Sequence, residues 1–225
     1  MTIGSNDIII HIYLFLRRIT MTRLYLIRHG ETLWNIERRA QGIKNIELSQ
    51  RGIAQGKLLA QRLKKQKIDI IYSSDLSRAY ETASIIGKEI DKPVYTLPEI
   101  REMNFGDWEG LTMSEIKENY KDIYDSWKNT PHTAIIPGAE TLIQVQERVM
   151  KGVHRIIKEN KGKNIIMVSH GVAIKTIIFN LLDIDLSNYK KIRQDNTAIN
   201  IIDFKKDYNV LVSLNDTCHL KILSD

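Results

Sequence analysis

The sequence predicts an α/β fold: a three-layer sandwich with a mostly parallel central sheet, helices on both faces and a helical insertion over one end. Three observations carry this expectation. Residues 24–27 (Leu-Tyr-Leu-Ile) and 165–168 (Ile-Ile-Met-Val) are continuous apolar runs, the pattern of parallel strands covered on both sides. Strand-like and helix-like segments alternate from Met21 to Leu181. Both apolar runs end in a His-Gly pair, His29-Gly30 and His170-Gly171, and open α/β sheets bind ligands just beyond the carboxyl ends of their strands.

Taken in order, residues 1–20 are set aside as a loosely ordered N-terminal extension. Their apolar stretch, 8–16, is far short of the ~20 residues of a membrane helix. It lacks both the basic flank and the small-residue site of a secretory signal. Residues 21–225 are expected to form a single domain. After the first strand, Ser49 offers an N-cap to a helix reaching about Lys65, with Ile53, Leu59, Ala60 and Leu63 on one face. Residues 68–73 form a second strand ending in Ser73-Ser74-Asp75. A helix over 76–90 follows, with Arg78 in its first turn.

A short strand at Val94-Tyr95 stops before Pro98. Between about 103 and 140 the alternation breaks into an insertion carrying Trp108, Tyr120, Tyr124 and Trp127. Short helices are expected there, covering one side of the site, with the aromatics serving mainly as local core. Leu142, Val145, Val149, Val153 and Ile156 then repeat at helical spacing. The second His-Gly strand follows with its own helix to Leu181. Residues 198–204 and 210–214 close the chain as antiparallel strands at an edge of the sheet.

The formal charge is +6, but 27 acidic residues are interspersed with 33 basic ones, so a small phosphorylated metabolite suits this chain as well as nucleic acid does. One cysteine, Cys218, excludes a disulfide framework and a multi-cysteine zinc site, and the cytoplasm is the simplest compartment. Phosphoryl transfer needs an in-line nucleophile, positive groups on the equatorial oxygens and a proton source for the leaving alkoxide. His29 fits as a nucleophile that forms a phosphohistidine. Arg28, Arg78 and a protonated His170 fit around the oxygens, and Glu102 fits as the acid. Any one of these charged residues taken alone could be a structural ion-pair group; their recurrence at strand ends argues otherwise. His11, His132 and His154 have no such context. His219 has a tail around it but is equally well a packing histidine.

Other phosphatase chemistries fit poorly. Cys218 has no phosphate-binding arginine after it, Asp183-Ile184-Asp185 follows a helix instead of ending an early strand, and no Gly-x-x-x-x-Gly-Lys loop is present.

These residues also carry a resemblance. Residues 28–35 (Arg-His-Gly-Glu-Thr-Leu-Trp-Asn), Gln41-Gly42, 48–52 (Leu-Ser-Gln-Arg-Gly), 73–79 (Ser-Ser-Asp-Leu-Ser-Arg-Ala), Arg101-Glu102 with 106–110 (Gly-Asp-Trp-Glu-Gly), and 168–171 (Val-Ser-His-Gly) resemble, in order, the histidine phosphatase superfamily in its phosphoglycerate mutase-like branch. The resemblance implies that His29 is the phosphorylated nucleophile and Glu102 the proton donor that later activates water. It makes His170 the second histidine of the phosphate pocket, and Arg28, Arg78 and Asn35 phosphate-binding residues. Gly30, Thr32, Gln41, Gly42 and Gly171 are then substrate-binding, with no metal and no cofactor. The short span from Glu102 to His170 leans toward a phosphatase over a cofactor-dependent phosphoglycerate mutase. Broad-specificity phosphatases and α-ribazole phosphatases share this compact pattern. A non-catalytic phospho-ligand-binding or scaffold protein on the same fold would have lost the nucleophile or the acid, and this chain keeps both. The expected partner is a small phosphorylated metabolite, without nucleic acid or stable membrane insertion, and a homodimer is left open.

Overall fold

The computed structural model describes residues 21–223, so the extension expected over 1–20 lies outside the described residues. Strand β1 (Thr22–Arg28) forms on the first apolar run. It is joined by β2 (Ile70–Ser73), β3 (Val94–Thr96), β4 (Asn164–Ser169), β5 (Ile199–Phe204) and β6 (Asn209–Asp216). Their order across the sheet is β3-β2-β4-β1-β5-β6. The first four are parallel, while β5 runs antiparallel to β1 and β6 antiparallel to β5. The closing hairpin therefore reaches further inward than expected: β6 is the edge, but β5 lies directly against the central β1.

Successive side chains of a strand point to opposite faces, and β1 divides its residues accordingly. Leu24 and Leu26 join Ile165 and Met167 of β4 under helices α6 (Leu142–Glu159) and α7 (Gly171–Leu181). Tyr25 and Ile27 join Ile166 and Val168 under α2 (Gln50–Leu63) and α3 (Ser77–Ile90). These aliphatic side chains are at most a few per cent exposed. At roughly 1.5–3 kcal/mol for each fully buried one, the two cores hold the strand ends, and whatever they carry, in fixed places. Helix α1 (Leu33–Ile36) is a single turn beginning at the Thr32 cap.

The insertion holds α4 (Met113–Asn119) and α5 (Lys121–Asn129). Trp108 is buried, and its ring meets Trp127 edge-on at 6.3 Å. Trp127 also meets Phe105 edge-on at 5.8 Å and Tyr189 at 5.9 Å. The aromatics are local core, as expected, but Phe105, Trp108 and Trp127 also form a wall of the cavity described below. No helix among the described residues is long and apolar enough to cross a membrane.

The segment after β1 is pinned to the first turn of α2. Ser49 Oγ caps that helix by accepting from Gly52 N at 3.0 Å and donates to Glu31 Oε1 at 2.9 Å. Gly52 lies so close beneath this segment that a Cβ on it would stand 2.0 Å from Glu31 O. Helix propensity alone favours alanine over glycine by about 1 kcal/mol. The backbone clash reverses the sign, and Gly52→Ala is expected to destabilise the protein by about 1–3 kcal/mol. At Gly56, one turn on, the nearest obstacle is the Cδ1 tip of Ile85 at 3.1 Å, which can move. Gly56→Ala is expected to stay within about 1 kcal/mol of the parent. Urea unfolding of the two variants side by side checks both; equal effects would mean that the Gly52 contact is not a constraint.

Candidate active site

The register of β1 on β4 sets Arg28 opposite Ser169, so the next residues, His29 and His170, stand side by side with ring centroids 5.1 Å apart. Both are buried. His29 Nδ1 lies 2.7 Å from Gly30 O. A carbonyl can only accept, so Nδ1 carries the proton and Nε2 the lone pair. Arg78 Nε donates to that lone pair across 3.3 Å, while its Nη1 and Nη2 donate to Lys44 O at 2.7 Å and Gly42 O at 2.8 Å. Burial first, and then the positive charges of Arg78 and Arg28, hold His29 well below the ordinary imidazole range. The His29 ring is thus neutral, with its Nε2 unprotonated and its tautomer fixed.

Burial and the same cations hold His170 low as well. Its ring is therefore neutral here, where the sequence suggested a protonated donor. His170 Nε2 is 2.8 Å from Ser74 Oγ, and Nδ1 has no protein partner. A dianion entering the cavity would favour the charged imidazole and reverse this balance.

Arg28 is half-buried, with Nη1 donating to Gln194 O at 2.7 Å and Nε without a protein partner. Desolvation lowers the pKa of both guanidiniums, that of Arg78 to about 10, which leaves it charged at neutral pH. Glu102 reaches the site from the loop after β3. Its Oε1 accepts from Met103 N at 3.0 Å and from Val172 N and Ala173 N, both at 3.2 Å, in the first turn of α7. Arg148 on α6 secures the backbone that delivers it, donating to Glu99 O, Arg101 O and Glu102 O at 2.8, 3.0 and 3.1 Å. Arg101 turns away and pairs with Asp75.

Arg28, His29, Asn35, Gln41, Gly42, Arg78, Glu102 and Gly171 line one cavity of about 570 Å³. Asn35 Oδ1 accepts from Thr32 N and Asn196 Nδ2, and Gly42 turns the chain at φ +54. His170, expected to meet the phosphate, is not on the cavity wall: it is fully buried with its ring against that of His29. Gly30 and Thr32 are not on the cavity wall: Gly30 packs on Gly52 and donates to Thr82 Oγ1 at 3.0 Å, and Thr32 is the buried cap of α1. His154 is exposed and His132 half-buried, both away from the cavity wall. His219 is buried, with Nε2 3.0 Å from Thr197 Oγ1. Among the described residues no group of three or more His, Cys, Asp or Glu could hold a metal ion.

Sequence reasoning missed Arg148, Lys175, Tyr189 and residues 194–197. The last had a visible signal, four polar residues one position short of β5, and Lys175 is the only charge on the apolar helix α7.

Fold and site together suit a phosphoric monoester hydrolase, and the relatives of this chain include phosphatases. The chain belongs to the histidine phosphatase superfamily, branch 1, whose sequence profile matches residues 24–217. It is 36% identical to Phosphoserine phosphatase 1 of Hydrogenobacter thermophilus over 89% of this chain and 95% of that protein. It is 32% identical to the probable phosphoglycerate mutase GpmB of Yersinia pestis over 89% and 95%. The crystal structure of phosphoserine phosphatase from Entamoeba histolytica in complex with 3-phosphoglyceric acid is similar with a TM-score of 0.76, at 38% identity, covering 88% of this chain and 99% of that one.

Three buried imidazoles make stability depend on pH. In the unfolded chain histidine titrates near 6.5, whereas His29 and His170 are held well below that and His219 is pulled by burial to about 4. Below pH 6.5 the unfolded chain binds more protons, so stability present above 6.5 is lost as pH falls toward the folded pKa values. The expected outcome is an unfolding free energy that drops between pH 7 and 5, by up to about 1.4 kcal/mol per pH unit for each imidazole. His219→Gln should make the slope shallower. A flat profile from urea titrations would contradict the neutral pair.

Proposed function

We propose that this enzyme hydrolyses phosphate monoesters of small metabolites through a phosphohistidine on His29, without a metal, in the cytoplasm, and that residues 21–225 act as one domain. The observation that carries this reading is the fixed tautomer of His29: Nδ1–H is committed to Gly30 O, which leaves Nε2 as an unprotonated nucleophile among cationic donors. In the first step Nε2 attacks phosphorus in line, the N–P bond forms, and the P–O bond to the alcohol breaks. Arg28 and Arg78 neutralise the charge on the equatorial oxygens, joined by His170 once the bound dianion has favoured its protonated form. Glu102 gives its proton to the departing oxygen. In the second step Glu102 takes a proton from water, the water oxygen attacks phosphorus, and the N–P bond breaks to release phosphate. Positive charge on the phosphorylated ring is eased by the hydrogen bond from Nδ1–H to Gly30 O.

The relative named phosphoserine phosphatase supports hydrolysis. The relative named probable phosphoglycerate mutase keeps a second reading in play, in which the phosphoenzyme passes its phosphoryl group to a second alcohol instead of water.

Rapid acid-free quenching with a labelled ester should trap an acid-labile, base-stable phosphoenzyme, and His29→Ala should abolish both the adduct and turnover. Glu102→Gln should lower kcat by about 10²–10⁴ for esters of poorly acidic alcohols and much less for p-nitrophenyl phosphate. An equal loss on both would remove Glu102 from the role of acid. Phosphate release matched by the rate of ester loss identifies the hydrolase; ester loss without phosphate release, with a second alcohol phosphorylated, identifies the mutase.

A further inference from the structure

The cavity carries more positive charge than one phosphate needs. Beside Arg28 and Arg78 at its floor, Lys175 lines the wall, and Glu102 is the only carboxylate on the lining. Arg39 and Arg193 are paired with Glu37 and Asp195 through contacts of 2.6 Å, and Lys190, the remaining cation of the lining, is exposed to solvent where Lys175 is half-buried. Lys175 has no carboxylate within ion-pair distance among the described residues. Its Nζ donates to Tyr189 O at 3.2 Å and stands 4.1 Å from the centroid of the Tyr189 ring.

A half-buried ammonium held by a carbonyl and an aromatic face still has donors to spare. Burial, with the nearby charge of Arg28, pulls Lys175 down to about 8, the mark of a cation short of a counter-ion. Lys175 follows Gly171 by four residues, so one turn of α7 separates it from the Glu102 carboxylate at the helix start. A small substrate with its phosphate at His29 and its leaving oxygen near Glu102 would extend its remaining atoms toward this ammonium.

Resting on the phosphatase reading, we propose that Lys175 is a specificity residue that binds a carboxylate on the alcohol portion of the substrate, so that the preferred esters are phosphorylated small carboxylic acids. Tyr189 positions it: the buried ring fixes the ammonium over one face, and Tyr189 O accepts a hydrogen bond from one of its three N–H groups.

The test uses the His29→Ala variant of the full chain, in which neither probe is turned over. Titration calorimetry compares 3-phosphoglycerate with glycerol 3-phosphate, which has the same phosphate and carbon number but a hydroxymethyl group in place of the carboxylate. The expected preference for 3-phosphoglycerate is about tenfold or more, the scale of one hydrogen bond between charged groups. Adding Lys175→Met should collapse that ratio toward one, and adding Lys175→Arg should retain part of it. A ratio unaffected by Lys175→Met would overturn the proposal. Equal weakening of both probes would do the same, since Lys175 would then serve the phosphate itself. Failure of the wild-type chain to release phosphate from either ester would instead sink the hydrolase reading, and would leave the binding ratio to be judged separately.

Discussion

The parallel pairing of β1 with β4 is the constraint from which the site follows. Because Arg28 faces Ser169, the histidines one residue further on leave the sheet at the same level, and their rings meet at 5.1 Å. A slip of one residue in either strand would send one histidine to the opposite face and bury the wrong set of apolar side chains. The hydrophobic alternation that keeps Leu24 and Leu26 under α6 and α7, and Tyr25 and Ile27 under α2 and α3, is therefore also what aligns the two imidazoles. Core packing and the placement of the two histidines are specified by the same side chains.

Around that pair the electrostatics are arranged in favour of an incoming anion at the expense of the empty site. Two guanidiniums and the His29 imidazole, with the His170 ring packed against it, are buried or half-buried at one cavity, and the cost is lowered because both imidazoles stay neutral. Arg78 spends two donors on Lys44 O and Gly42 O, which fixes its plane, and directs the third at His29 Nε2. Arg28 has one nitrogen tied to Gln194 O and Nε without a protein acceptor. Phosphate oxygens would satisfy donors that the protein leaves free, and a preorganised cationic site needs little rearrangement when charge develops in the transition state.

Much of this was legible in the sequence because its signals are local. Apolar runs, His-Gly pairs, the Ser49 cap and the helical spacing of Leu142 to Ile156 each sit within a short window, and the ordered blocks point to Arg78 and Glu102, both of which line the cavity. What stayed hidden depends on distant contacts. Nothing local tells that Arg148 supports the Glu102 backbone across 46 residues of chain, or that Trp108 and Trp127 are at once core and cavity wall. The lowering of His170 in the empty site was not legible either, because desolvation is a property of the packed molecule and the residue type alone does not reveal it. Gly30 and Thr32 look like site residues by their neighbours, yet their close contacts are with Gly52 and with the start of α1.

The switch from parallel to antiparallel pairing at β5 has a physical consequence for the site. A parallel neighbour would bring the segment after it to the carboxyl edge of β1; an antiparallel one brings the segment before it. With Ile199 opposite Ile27, residues 192–198 arrive beside His29. Gln194 O anchors Arg28, Asn196 Nδ2 donates to His29 O at 3.1 Å, and Thr197 N donates to Arg28 O at 3.1 Å. Thr197 does so at φ +55, a left-handed conformation that costs a β-branched residue about 1–3 kcal/mol. That strain persists because the residue is fully buried and its hydroxyl is held between Asn196 O and His219 Nε2. The segment that leads into the antiparallel strand thus clamps the backbone of Arg28 and His29 from the side opposite β4, and His219, near the end of the chain, holds the hydroxyl of Thr197 within that clamp.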